Sequence, residues 1–399
     1  MPFSTDASAI ASTALLVSAM VGGLLVVTRK HHQIYTADPF EGAQKLHSES
    51  TPRVGGVAIY LGVLAAYAVA SGLHLRVAPL LAVLLLAGLP AWLLGLAEDI
   101  TKKVRPRWRM LATMASGLLA SLMTGLSLRQ VGVPGLDAAL QWAPVALLFT
   151  AFAVAGVANA VNLIDGMNGL ASGFSCVAFG ALVAVAHCEG DITLMRYCMV
   201  LCAASLGFML LNWPRGKLFL GDSGSYFLGF ALAWACVQMT QRNPSVATFS
   251  MLLICIHPIF EAIFSMWRRA IRGQSPAHAD RLHLHSLLLR RVVRNPASRF
   301  NVALRTLSGA QKWDFSHGSD WVSNAAAGLL VACMSLPAAL ASYLTHENST
   351  TAVIACMGFV VGYVTIYARL VRFRWFSPLR FLFERPEQQV MQSRGMRRG

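Results

Sequence analysis

Apolar residues in this chain run in blocks of about twenty, separated by short polar segments. They neither alternate nor settle into one helical stripe. A helix needs roughly 20 apolar residues to cross a bilayer. Blocks of that kind predict eleven spans, at 9–28, 54–73, 77–97, 108–128, 142–161, 170–188, 195–212, 225–240, 247–267, 322–344 and 351–370. The pattern therefore predicts an all-α polytopic integral membrane protein. Spans 170–188 and 225–240 are the shortest or richest in glycine. The first run lacks the basic leader and small-residue cleavage site of a signal peptide, so it is expected to remain in the protein. No repeat or Gly/Ser linker divides the sequence, and residues 1–399 read as one membrane domain, with a long polar loop at 268–321 and a basic tail at 371–399.

Composition agrees with that reading: 56% of the 399 residues are hydrophobic and 13% charged, about half the charged fraction of a soluble domain. The basic residues add an orientation. Of 33 lysines and arginines, all but Arg76, Arg129, Arg196 and Arg242 fall in the connections after odd-numbered spans or in the tail. The side rich in lysine and arginine is the cytoplasmic one, so the amino terminus is expected outside and the carboxyl terminus inside. This bias accounts for most of the net charge of +15 and points to anionic headgroups or anionic substrates. No aromatic-studded basic domain accompanies it, so nucleic acid is not an expected partner. Eight cysteines are scattered without CxxC spacing and read as small buried thiols, the alternative being a Cys188–Cys198 pair near the outer face.

The predicted inner connections hold nearly all the residues capable of chemistry. They are "KLHSESTPRVGG" from Lys45, "GLAEDITKKVRPRWR" from Gly95, "NAVNLIDGMNGLASGF" from Asn159, "NWPRGKLFLGDSGSYFLG" from Asn212 and "ADRLHLHSLLLRR" from Ala279. Glu98, Asp99, Asp165 and Asp222 thus share one membrane face with Lys45, Arg53, Lys102, Arg107, Arg109, His283 and His285. Carboxylates beside cations suit a magnesium–diphosphate site, because Mg²⁺ takes one or two carboxylates plus phosphate oxygens. Phosphoryl transfer also needs cations to offset phosphate charge. An aspartate at membrane depth is a functional hypothesis by default. If the fifth span ends near Val161, the stretch through Asp165 is a break lining a polar cavity, with Asn162 and Asn168 gripping a ligand. Gly221 and Gly224 let Asp222 approach a metal or phosphate, and the amides opening the next helix favour an anion; an ordinary N-capped turn is the other reading. The HxH pair reads first as the wet face of an interfacial helix, and otherwise as diphosphate or metal contacts.

Together, and in this order, the segments resemble the polyprenyl-phosphate N-acetylhexosamine-1-phosphate transferase family, from about Lys45 to Arg291. The resemblance implies ten or eleven spans and a cytoplasmic site. It also implies transfer of a sugar 1-phosphate from a UDP-sugar to undecaprenyl phosphate, with Mg²⁺ (or Mn²⁺ in its place) and release of UMP. "EDITK" looks like the family's DDxxK, making Glu98 and Asp99 the acidic pair that deprotonates or positions the lipid phosphate, with Lys102 its lysine. "NLIDGMNGLASG" looks like NLxDGxDGLA, which places Asp165 in the metal and nucleotide-sugar region beside Asn162 and Asn168. "NWPRGKLFLGDSGS" supplies the metal-binding Asp222, with Asn212 and the uracil-stacking Phe219. "KLHSESTPRVGG" gives Lys45 a phosphate contact, and "DRLHLHS" gives His283 and His285 diphosphate contacts. Glu261 stands where the family often has an aspartate.

Three positions depart from the pattern: Glu98 for the first aspartate of the pair, Asn168 for the second aspartate of the third motif, and Ser286 for a histidine. Asn168 is accordingly expected to bear on donor choice. The resemblance implies a bacterial inner-membrane enzyme that initiates a cell-surface polysaccharide from a donor such as UDP-N-acetylglucosamine, acting alone or as a homodimer. The alternatives are a phospho-MurNAc-pentapeptide transferase and, from another class, a lipid or sugar-phosphate transporter. A transporter places polar residues near mid-bilayer in paired broken helices, whereas here the acids cluster at the inner ends of spans.

Overall fold

The computed structural model describes residues 5–36, 51–271, 273, 282–293 and 321–372. Among them the chain is helical without β-strands. In order come α1 (Thr5–Val27), α2 (Arg29–Thr36), α3 (Gly55–Gly72), α4 (Ala78–Thr101), α5 (Pro106–Thr124), α6 (Pro134–Leu140), α7 (Ala143–Ile164) and α8 (Leu170–Cys188). Then follow α9 (Ile192–Asn212), α10 (Gly221–Arg242), α11 (Thr248–Ile271), α12 (Leu284–Leu288), α13 (Trp321–Cys333), α14 (Leu336–Leu344) and α15 (Ser349–Val371). A π turn, Leu289–Val293, continues α12.

Each predicted span coincides with helix. Nine segments among the described residues, counting 324–344 as one, are long and apolar enough to cross a bilayer by length and composition. The other two positions are taken by α5 and α10, of 19 and 22 residues. The count of eleven spans thus depends on these two, whose composition has a local cause in each case. α5 opens on the polar PRWR turn. α10 is buried from Gly221 to Met239 and packs against α3, α4, α5, α7, α8, α9 and α11, so it faces protein all round and needs no lipid-compatible surface. The predicted span 322–344 is two helices rather than one, broken at Met334–Ser335 ahead of Pro337 in the first turn of α14; a proline ring displaces the preceding turn and supplies no N–H.

Small residues set how closely α10 is held. A Cβ on Gly56 of α3 would lie 2.3 Å from the Gly224 amide nitrogen, and one on Gly95 of α4 would lie 2.6 Å from Ser223 Cα. Backbones in contact at such distances gain dispersion and polar contacts that lipid does not supply. The first turn of α10 is thereby clamped between α3 and α4. All eight cysteines are free, Cys198 buried and Cys188 exposed.

Candidate functional site

The site grows from that clamped turn. Gly221 opens α10 at φ +74°, and a Cβ there would fall 2.2 Å from the Arg53 carbonyl oxygen and 2.6 Å from Asp99 Oδ2. Only glycine holds this left-handed backbone without cost and admits a carboxylate so close. Asp99, in the last turn of α4 and 2% exposed, uses that space fully. Its Oδ1 accepts the Asp222 amide at 2.8 Å, and its Oδ2 accepts the Ser223 amide at 2.9 Å and hydroxyl at 2.7 Å. The helix N-terminus expected to receive a ligand anion therefore receives an anion of the chain itself.

With its helix fixed, Asp222 points into a cluster drawn from distant segments. Oδ2 accepts from Arg109 Nη1 at 2.7 Å, and Oδ1 accepts from Asn162 Nδ2 at 3.1 Å with Arg53 Nη2 at 3.6 Å. Asn162 also donates to Ser225 Oγ at 2.8 Å and accepts from the Tyr226 hydroxyl at 3.2 Å. Glu98 sits at the edge: its Oε1 is 4.0 Å from Arg109 Nη1, and its Oε2 accepts the Val104 amide at 2.8 Å. Lys102 makes this possible by ending α4 at φ 55°, which turns the chain back over Glu98; its Nζ donates to the Asp99 carbonyl at 3.2 Å.

The break after α7 begins three residues later than expected, because α7 runs to Ile164 and Asn162 lies in its last turn. Asp165 follows the helix end. Its carboxyl is pushed up to about 7, chiefly by burial; Arg53 opposes the shift, while Asp222 and Asp99 reinforce it. Its rim is partly accessible to solvent, yet the surrounding elements still strip most of its hydration.

Two predicted ligand residues turn elsewhere. Asn168, 1% exposed, donates from Nδ2 to the Pro214 carbonyl at 3.2 Å, and its amide donates to Asn324 Oδ1 at 2.9 Å. Asn212 accepts the Gly169 amide at 2.7 Å and donates to the Leu218 carbonyl at 2.9 Å. Both amides brace the loops that carry Asp165 and Asp222 instead of facing the carboxylates. Phe219 is partly exposed, its backbone tied to Gly55 and Pro52 at 2.9 Å each. Lys45 lies outside the described residues.

The HxH pair is not a wet face. His283 and His285 are 9% and 7% exposed, and their rings stack with centroids 5.4 Å apart. Glu261 of α11 holds them: its Oε1 accepts from His283 Nδ1 at 2.9 Å and from the Leu284 amide at 3.2 Å, while Oε2 accepts the Tyr363 hydroxyl. Sequence periodicity could not reveal this pairing, since Glu261 and Tyr363 lie 102 positions apart. His285 is pushed down to about 4 by burial, against the pull of Glu261. Its Nε2 would lie 2.9 Å from a Cβ on Gly166, so the HxH segment closes onto the Asp165 turn.

Arg53 and Arg109 were expected only as general cations; the structure makes them the direct partners of Asp222. Tyr226 and Tyr363 carried no sequence signal. The donor set suits a hard divalent cation: carboxylate oxygens that repel one another, with no sulfur among them.

Residues 81–240 match the family described as Glycosyl transferase family 4. The undecaprenyl-phosphate alpha-N-acetylglucosaminyl 1-phosphate transferase of Yersinia pestis is 32% identical over 256 residues, covering 62% of this chain and 68% of that protein. The protein of the same name from Escherichia coli strain K12 is 30% identical over 254 residues, covering 62% and 67%. The probable undecaprenyl-phosphate N-acetylglucosaminyl 1-phosphate transferase of Bacillus subtilis strain 168 is 29% identical over 249 residues, covering 62% and 68%.

Proposed function

The chain belongs to Glycosyl transferase family 4, and we propose that it transfers N-acetylglucosamine 1-phosphate from a UDP-linked donor to undecaprenyl phosphate. The observation that carries this reading is the convergence on Asp222 of Asp99, Arg109, Asn162 and Arg53, with Glu98 at the edge beside Arg109, at the shared ends of α4, α7 and α10. An oxygen of the lipid phosphate attacks the sugar-bearing phosphorus, the bond from that phosphorus to the bridging oxygen breaks, and UMP leaves. Arg53, Arg109 and Lys102 offset the phosphate charge.

Asp222 and Asp165 are the residues that would hold Mg²⁺. When bound, the ion supplies Lewis-acid polarisation and charge neutralisation at the diphosphate. Asp99 has both oxygens committed to the first turn of α10, so we assign it to positioning Asp222. Glu98, the more accessible acid, accepts the acceptor's proton where one is present. His283, held by Glu261, and His285, stacked on it, close onto the Asp165 turn. A lipid acceptor also accounts for an apolar groove of 520 Å³ on α11 and α15, lined by Phe260, Phe264, Trp267 and Val364. The charge bias of the connections supports a site on the cytoplasmic face of the membrane.

The test is UMP release by the purified protein with undecaprenyl phosphate, Mg²⁺ and a panel of UDP-sugars, with Asp222→Asn alongside. Release that requires the lipid, the metal and UDP-N-acetylglucosamine, and that drops at least about 10³-fold in the variant, is the expected result. Equal turnover by Asp222→Asn would overturn the assignment.

A further inference from the structure

A second constellation lies at the opposite end of the bundle. α8 carries the chain from the Asp165 turn to Cys188 in 19 residues, about 28 Å of helix. Just beyond it stands Glu189. Its Oε1 is 3.4 Å from His346 Nε2, and Glu347 Oε1 is 3.8 Å from the same nitrogen. One ligand atom from each residue lies within 4.8 Å of the others.

The hydrogen bonds around this trio decide its chemistry. His346 Nδ1 is 2.6 Å from the Tyr343 carbonyl oxygen, which can only accept, so Nδ1 carries the hydrogen. In the neutral imidazole, Nε2 then presents its lone pair to two carboxylates. A backbone carbonyl on the outer nitrogen is the arrangement that orients a metal-ligating histidine. Glu189 is oriented in turn, its Oε2 accepting the Ser245 hydroxyl, and the Ala247 amide donates to the His346 carbonyl at 2.6 Å. Three lone-pair donors therefore converge, two of them, His346 and Glu189, braced from behind by groups outside the trio.

We propose that Glu189, His346 and Glu347 form a divalent transition-metal site, with zinc as its ion. Tetrahedral bonds of about 2.0–2.1 Å put ligand atoms roughly 3.3 Å apart; Glu189 Oε1, 3.4 Å from Nε2, matches that spacing, and the exposed Glu347 carboxylate, at 3.8 Å, has the freedom to close the rest. One imidazole and two carboxylates leave a fourth position for water. The residues belong to the α8–α9 and α14–α15 turns, and Ser245 and Ala247 to the α10–α11 turn. The ion is a clamp across the ends of these helices remote from Asp222, and it takes no part in the transfer reaction.

The test uses full-length, tag-free protein in detergent, stripped with chelator and titrated with Zn²⁺. Calorimetry and Co²⁺ absorption report binding, and the apparent Tm reports the clamp. We expect one site, a raised Tm on loading, and an affinity at least about tenfold weaker in His346→Asn and in Glu347→Gln. Glu347 has a side chain 73% exposed, so its replacement leaves the fold intact. Asp222→Asn should bind zinc like the unmodified protein. No uptake, or affinity unchanged in both substitutions, would show that the trio is an imidazolium–carboxylate ion pair and overturn the proposal.

Discussion

Replacing Asp99 with asparagine separates a positioning carboxylate from a catalytic one. The three donors on Asp99 come at 2.7–2.9 Å from the Asp222 and Ser223 amides and the Ser223 hydroxyl. An asparagine keeps one acceptor oxygen and turns an NH₂ group toward at least one of those donors. One buried amide is left unpaired, which costs about 1–3 kcal/mol. The glycine contacts of Gly56 and Gly95 leave the turn little room to relax and relieve that cost. A net loss of about 1–3 kcal/mol, with Asp222 carried out of register, is the expected outcome. The assay pairs thermal unfolding in detergent with steady-state UMP release for Asp99→Asn and Glu98→Gln. Asp99→Asn should lower the apparent Tm by several degrees and turnover about 10²-fold or more. Glu98→Gln should lower turnover and leave the Tm unchanged. If Asp99→Asn unfolds at the unmodified temperature and loses only kcat, Asp99 is a proton acceptor and the positioning argument fails.

Three further outcomes follow from the same geometry. Gly221→Ala adds a Cβ 2.2 Å from the Arg53 carbonyl at φ +74°, so stability and activity should both collapse, whereas Gly180→Ala, with nothing within 4 Å, should unfold like the parent in the same melt. His285 sits at about 4 in the folded protein against about 6.5 unfolded, so the unfolded chain binds the extra proton first. Stability is then fully present above pH 6.5 and falls by about 3 kcal/mol as pH drops toward 4. The acid limb of the melting profile should flatten in His285→Gln, and an unaltered limb would contradict the assignment. Asn168→Asp exchanges a donor to the Pro214 carbonyl for a buried charge, so it should destabilise by about 1–3 kcal/mol and leave donor choice among UDP-sugars unchanged; a shifted donor profile would place that side chain at the substrate after all.

Among the described residues, hydropathy alone located the long apolar helices, because the cost of unpaired backbone in lipid forces such segments into helices. The lysine and arginine bias likewise assigned Asp99, Asp165 and Asp222 to one membrane face. What the sequence did not hold is which face of each helix turns inward. α10 is buried on all sides, and a helix packed all round carries no stripe from which its rotation can be read. The pairing of Arg109 with Asp222 joins residues 113 positions apart, and the bracing of His283 by Glu261 spans 22. Both depend on how neighbouring helices cross, as does the use of Asp99 beneath the first turn of α10. The amide side chains of Asn168 and Asn212 look identical in sequence whether they grip a ligand or a loop. Small-residue contacts fixed the helix separations, those separations chose the partners, and the partners decided which polar groups remain for chemistry. Residue order determined the elements and the inventory of acids and bases; tertiary packing alone assigned each its task.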